Sequence, residues 1–216
     1  ALVTEAGDGS GRGILAQRFG SDGARLGGEF LVNTTTAGAQ QFPVLTELAD
    51  GGFLAIWNSD QDGSGDGVYG QRFALDGTKV GAEFRVNTTT VGGQFTPAVA
   101  TLPDGGFVVT WVSDGQDGAG LGIFGQRFAA DGVATGPEFA VNSSVAGDQQ
   151  YPDVAALSDG GYVITWSSAG GQDGDSWGVF AQRYSATGAQ VGSEFLVNTY
   201  TASQQRLQSV IALPDG

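Results

Sequence analysis

The stretch Gly70–Asn87 reads "GQRFALDGTKVGAEFRVN". It returns as "AQRFGSDGARLGGEFLVN" from Ala16, "GQRFAADGVATGPEFAVN" from Gly125 and "AQRYSATGAQVGSEFLVN" from Ala181. The Gln-Arg-aromatic triplets begin at Gln17, Gln71, Gln126 and Gln182, spaced by 54, 55 and 56 residues. A period of this size marks a repeat architecture in which each copy is one supersecondary unit.

What surrounds the stretch recurs as well. A Ser/Thr-rich loop follows, carrying Gln40, Gln94, Gln149 or Gln204, and then a short apolar run such as "AVATL" (98–102). Next come a Gly turn and "GFLAIW" (52–57), "GFVVTW" (106–111) or "GYVITW" (161–166). Short runs rich in Val, Ile and Phe, punctuated by Gly, Asn and Asp, read as strands. In the second copy they fall near 44–48, 53–57, 68–73 and 83–87. The Trp-ending runs are almost continuously apolar, as strands covered on both faces are. A single small sheet cannot cover both of its faces, but stacked sheets can. The expected fold is therefore all-β, a four-bladed β-propeller of four-stranded antiparallel blades in a single domain, 1–216. A solenoid or β-sandwich is the architectural alternative. The repeats run approximately 13–66, 67–121, 122–177 and 178–216, the last completed by 1–12. On this reading the N-terminal strand, in "ALVTEAGDG", closes the last blade.

Composition narrows the function classes. Nine Lys+Arg stand against 23 Asp+Glu, a formal charge of -14. Such a surface repels a phosphate backbone, so nucleic acid is not an expected partner. No apolar run is long enough for a membrane-spanning helix, so no membrane insertion is expected. The chain has no Cys, hence no disulfide framework, and no His. With the commonest general base and the usual zinc ligands missing, no enzyme is expected.

The acidic loop "NSDQDGSGD" follows Trp57. Asn58, Asp60 and Asp62 alternate, Gly63 permits a bend, Ser64 offers a carbonyl and Asp66 stands ninth. Calcium takes roughly six to eight oxygens, and this spacing supplies such a set. Calcium is the expected cofactor here. Asp8, Asp117, Asp173 and Asp175 are weaker metal candidates in the corresponding loops, where Arg12, Leu121 and Trp177 take the ninth place. The alternative is an Asx turn, the carboxylate accepting backbone N–H bonds within a Gly-rich hairpin. Trp177 lies outside the repeat pattern and is a candidate for stacking on a glycan.

The repeated Arg18, Arg72, Arg127 and Arg183 each precede a Glu by eleven residues: Glu29, Glu83, Glu138 and Glu194. Across a hairpin these would form Arg–carboxylate pairs. Asn33, Asn87 and Asn142 each begin an Asn-x-Ser/Thr triplet, but a strand-ending Asn is more simply a turn residue.

The string "GQDG…GIFGQRF…DG…EF.VN…LPDGGFVVTW" resembles a repeat of large secreted bacterial proteins that often carry RTX (haemolysin-type) calcium-binding regions. The acidic loop also resembles the hairpin calcium loops of integrin α-chain (FG-GAP) propellers. These resemblances imply a secreted or cell-surface bacterial location and an association with calcium. The expectation is a non-catalytic extracellular module for adhesion or protein–protein contact, a monomeric domain of a larger protein whose partner is a protein or glycan on a surface. The alternative is a lectin with carbohydrate sites between or on the blades.

Overall fold

A computed structural model describes residues 2–5, 9 and 11–213. The fold is an all-β propeller of four blades. The first blade holds β1 (Leu2–Glu5), β2 (Arg12–Phe19) and β3 (Arg25–Leu31). The second holds β4 (Gln40–Glu47), β5 (Phe53–Ser59), β6 (Gly67–Phe73) and β7 (Lys79–Arg85). The third runs β8 (Gln94–Thr101), β9 (Phe107–Asp114), β10 (Leu121–Phe128) and β11 (Phe139–Ala140). The fourth runs β12 (Gln149–Ala156), β13 (Tyr162–Ser168), β14 (Gly178–Tyr184) and β15 (Gln190–Leu196). Within each blade, strands pair antiparallel in chain order.

The blade boundaries differ from the sequence expectation. β1 pairs with β2, Val3 opposite Ile14, so the N-terminal strand belongs to the first blade and does not close the last. The last blade is complete without it, with four strands of its own. The reason is local: a hairpin joins β1 to β2, whereas pairing with the chain's other end requires closing a long loop. Residues 206–213 run beside β12 outside any strand, Val210 N donating to Asp153 Oδ2 at 2.8 Å. Leu213 is 61% exposed, although Leu48 and Leu102 at the same point of earlier copies are buried. Among the described residues, the packed joints are those between consecutive blades.

Each joint repeats one packing scheme. The Phe of the outer strand (Phe30, Phe84, Phe139) meets the Gln-Arg aromatic of the next blade (Phe73, Phe128, Tyr184) at 5.7, 5.7 and 5.4 Å between ring centroids. That ring stacks in turn on Phe53, Phe107 or Tyr162 at 4.7–4.9 Å. Trp57, Trp111 and Trp166 are fully buried on β5, β9 and β13, which accounts for the unbroken apolar runs. At the two open ends the scheme lacks its other half, and Phe19 and Phe195 are 59% and 51% exposed.

The Gln-Arg pair has a structural role of its own. Each outer hairpin carries a bulge, and at Gly81 φ is +71°, a conformation that glycine adopts without strain. Gln71 Nε2, fully buried, donates to Arg72 O, Val80 O and Gly81 O at 2.9–3.3 Å. Gln17, Gln126 and Gln182 repeat the contact.

The expected Arg–Glu pairs do not form. Arg72, Arg127 and Arg183 pair with Asp50, Asp104 and Asp159, the aspartates of the turn before the Trp-bearing strand. Arg18 and Arg72 also reach the next blade, donating to Asp76 O (2.5 Å) and Asp131 O (3.2 Å). The glutamates point the other way. Glu83 Oε2 accepts from Thr34 N at 2.6 Å, and Glu138 and Glu194 accept from Thr88 N and Ser143 N. Val80, not Glu83, stands opposite Arg72, and the preceding blade offers the glutamate backbone N–H groups.

The asparagines seal each blade's corner. Asn87 Oδ1 accepts from Val68 N (2.8 Å), and Nδ2 donates to Thr89 O and Gln94 Oε1. Asn33 and Asn142 do the same, and all three are buried, so they are turn residues. In the fourth copy the partner of Asn198 is Gln205, not Gln204, seven residues on as in the other copies.

Candidate functional site

The acidic loop between β5 and β6 forms turns. Asp62 Oδ1 accepts from Ser64 N at 3.0 Å, and Asp117 and Asp173 repeat this with Ala119 N and Asp175 N. Asp60 Oδ1 accepts from Ala39 N of the preceding loop, and Asp175 Oδ2 from Ser203 N. Among the described residues, no three acidic side chains gather where a metal ion could be held. Asp60 Oδ1 and Asp62 Oδ1 are directed at backbone N–H groups, whereas Asn58 Oδ1 and Asp62 Oδ2 are buried without a hydrogen-bond partner. Asp8 lies outside the described residues.

Asp66 still feels its neighbours. Burial, then the charges of Asp60 and Asp62, hold its carboxyl above the ordinary range, opposed by the Asn58 amide. That amide faces Asp66 without reaching hydrogen-bond geometry, and both polar atoms of buried Asn58 lack a partner.

Trp177 is half-buried, and the Arg206 guanidinium lies 5.3 Å from its ring centroid. One ring face is thereby occupied by a cation–π contact.

The polar residues that do converge sit at the joint between the first and second blades. An open groove of about 560 Å³ is bounded there by Thr34 and Thr35 of the first blade's loop, Gln61, Tyr69 and the outer strand β7. β7 contributes Lys79, Glu83 and Arg85. Three elements remote in sequence thus meet because the blades stack face to face.

Glu83 is immobilised by Thr34 N, Thr35 N (3.3 Å) and Gln61 Nε2 (3.1 Å). Lys79 Nζ donates to Asn33 O at 3.1 Å and Thr34 Oγ1 at 2.9 Å. Lost hydration there pulls its pKa down, with Glu83 opposing. Burial, reinforced by Asp62, pushes the Tyr69 phenol up. Arg85 is exposed and, among the described residues, makes no hydrogen bond or ion pair.

Glu83 and its partners Thr34 and Gln61 belong to the repeat, since Gln116 and Gln172 donate to Glu138 and Glu194 in the same way, whereas Lys79 and Arg85 depart from it. The places of Tyr69, Lys79 and Arg85 are taken by Leu15, Arg25 and Leu31 in the first copy, Phe124, Ala134 and Ala140 in the third, and Phe180, Gln190 and Leu196 in the fourth. Sequence reasoning missed these three, although the departure from the shared pattern was visible there.

No model of a known protein family matches the chain, and no curated protein matches it. Solved structures do. A Dyadobacter fermentans protein of unknown function is 13% identical, with a TM-score of 0.68, covering 94% of this chain and 62% of its own. An α-L-arabinanase of Penicillium chrysogenum, solved with arabinobiose, is 14% identical with a TM-score of 0.63, covering 89% and 60%. An α-L-arabinofuranosidase of Fusarium graminearum is 13% identical with a TM-score of 0.59, covering 82% and 56%. This chain therefore spans about three fifths of each of those chains. Two of the three are glycoside hydrolases, which overturns the expectation of no enzyme. Lack of His and Cys was its ground, and a scaffold of this kind carries hydrolysis in those two proteins.

Proposed function

We propose that the chain is a carbohydrate-binding propeller module whose glycan site is the groove between the first and second blades. One observation carries this reading: Lys79 and Arg85 both stand on β7 at this groove, and in no other copy are both of those places charged. Both side chains are exposed, so packing does not demand them. Donors and acceptors in a concave site are what sugar hydroxyls need, and Glu83 is already oriented by its own hydrogen bonds. The arabinanase and the arabinofuranosidase of like fold support sugar as the ligand class. They also favour a second reading, in which the chain hydrolyses the glycan it holds.

A glycan array followed by titration of the hits tests binding. The expected result is a hit whose affinity falls with Gln61→Ala. Absence of any hit, or a hit indifferent to Gln61, refutes the groove. Incubation with arabinan and assay of new reducing ends tests hydrolysis separately.

A further inference from the structure

We infer that the groove selects a carboxylated sugar, a uronic-acid unit within a glycan, with Arg85 and Lys79 receiving the carboxylate. The inference rests on the groove being the glycan site. Its own argument is the disposition of positive charge.

The chain carries nine cationic side chains against 23 acidic ones. Arg18, Arg72, Arg127 and Arg183 hold blades and turns together. Arg206 covers Trp177, and Arg12 donates to Gln41 Oε1. Of the remaining three, two stand on β7 at this groove, among them the chain's single lysine. In the other described grooves an arginine is matched or outnumbered by carboxylates: Arg127 by Asp104, Arg72 by Asp50, Arg18 by Glu29 and Asp76. Here Lys79 and Arg85 face the single carboxylate of Glu83, whose oxygens already accept from Thr34, Thr35 and Gln61.

An unpartnered guanidinium presents a planar fork that matches a carboxylate with two parallel hydrogen bonds. A neutral sugar offers hydroxyls alone and leaves that charge complementarity unused. The surrounding field, from a net charge of -14, repels anions at long range and is screened within about 8 Å at physiological salt, while a direct contact is screened much less. Selection of an acidic unit at this point is therefore a short-range property that persists at moderate salt.

The test is calorimetric titration of the 216-residue chain with oligogalacturonate and with a neutral arabino-oligosaccharide of equal length, in 0.15 M salt. The acidic ligand is expected to bind on the order of tenfold more tightly, as a charge-assisted contact of ~1.4 kcal/mol requires. Arg85→Gln and Lys79→Gln should each weaken the acidic ligand more than the neutral one and so lower the preference, while Arg25→Gln, on the first blade, changes neither affinity. Equal affinity for both ligands, with Gln61→Ala weakening both, overturns this inference and keeps the groove as a sugar site. Acidic preference that survives both β7 substitutions also overturns it. Binding of neither ligand overturns the inference, and the glycan reading falls with it only when the array also shows no hit.

Discussion

Replacing Asn87 by Ala is expected to destabilise the chain more than any exposed polar substitution. The side chain is buried and makes three hydrogen bonds, from Val68 N at 2.8 Å, to Thr89 O at 2.6 Å and to Gln94 Oε1 at 2.9 Å. Alanine leaves the Val68 N–H and Gln94 Oε1 without a partner away from water. Each of these two groups costs about 1–3 kcal/mol, so the expected loss is about 2–6 kcal/mol. Asn198 supplies the internal control. It is only half-buried, and its bond to Gln205 is stretched to 3.5 Å. Water can reach what Asn198→Ala exposes, and the loss there should be about 1 kcal/mol. Urea unfolding followed by tryptophan fluorescence and far-UV circular dichroism measures both, the shift in midpoint reporting stability if the slope is unchanged. The isosteric Asn87→Asp keeps the acceptor for Val68 N but cannot donate to Gln94, and it should fall between wild type and Asn87→Ala or below both. An Asn87→Ala loss under about 1 kcal/mol, or one no larger than that of Asn198→Ala, refutes the sealing argument.

The other predictions concern the loop and the joints. Because the folded-state pKa of Asp66 is raised, the folded state keeps its proton longer, and stability is lost as pH rises through the carboxylate range. Asp66→Asn should therefore melt higher than wild type at pH 7, with the difference closing as pH falls through that range; a lower melting point at pH 7 contradicts the repulsion. Asn58 Oδ1 and Asp62 Oδ2 remain for a cation at the acidic loop, so millimolar calcium should raise the melting midpoint by several degrees and chelator should reverse it; a midpoint indifferent to both refutes the metal reading. Phe73→Ala, in the stacked first joint, should cost about 3–5 kcal/mol in urea unfolding. Phe19→Ala, at the exposed end, should cost a small fraction of that, and equal costs would mean that Phe19 is covered in solution.

Much of the fold was legible because its signals are local. Alternation, turn residues and the 54–56-residue period name the strands and their antiparallel order before any long-range contact is considered. The unbroken apolar runs before Trp57, Trp111 and Trp166 already required cover on both faces, which stacked blades provide. The Asx turn, held as the alternative for the acidic loop, also depends only on neighbours two residues apart.

What the chain's linear order did not determine is where each charged side chain ends. Arg72 and Glu83 have the spacing expected of a hairpin pair, yet the register sets Arg72 opposite Val80 and the two charges part, Arg72 to Asp50 and Asp131, Glu83 to Thr34. Partners nearly fifty residues away become neighbours only when one blade is laid on the next. The same holds for the groove: Thr34, Gln61 and β7 are unrelated along the chain and meet by stacking. Local periodicity therefore specifies the blades, since each strand's pattern answers to its own two faces. The joints, and with them the candidate site, belong to the tertiary structure, because a charge binds whichever partner packing brings within reach.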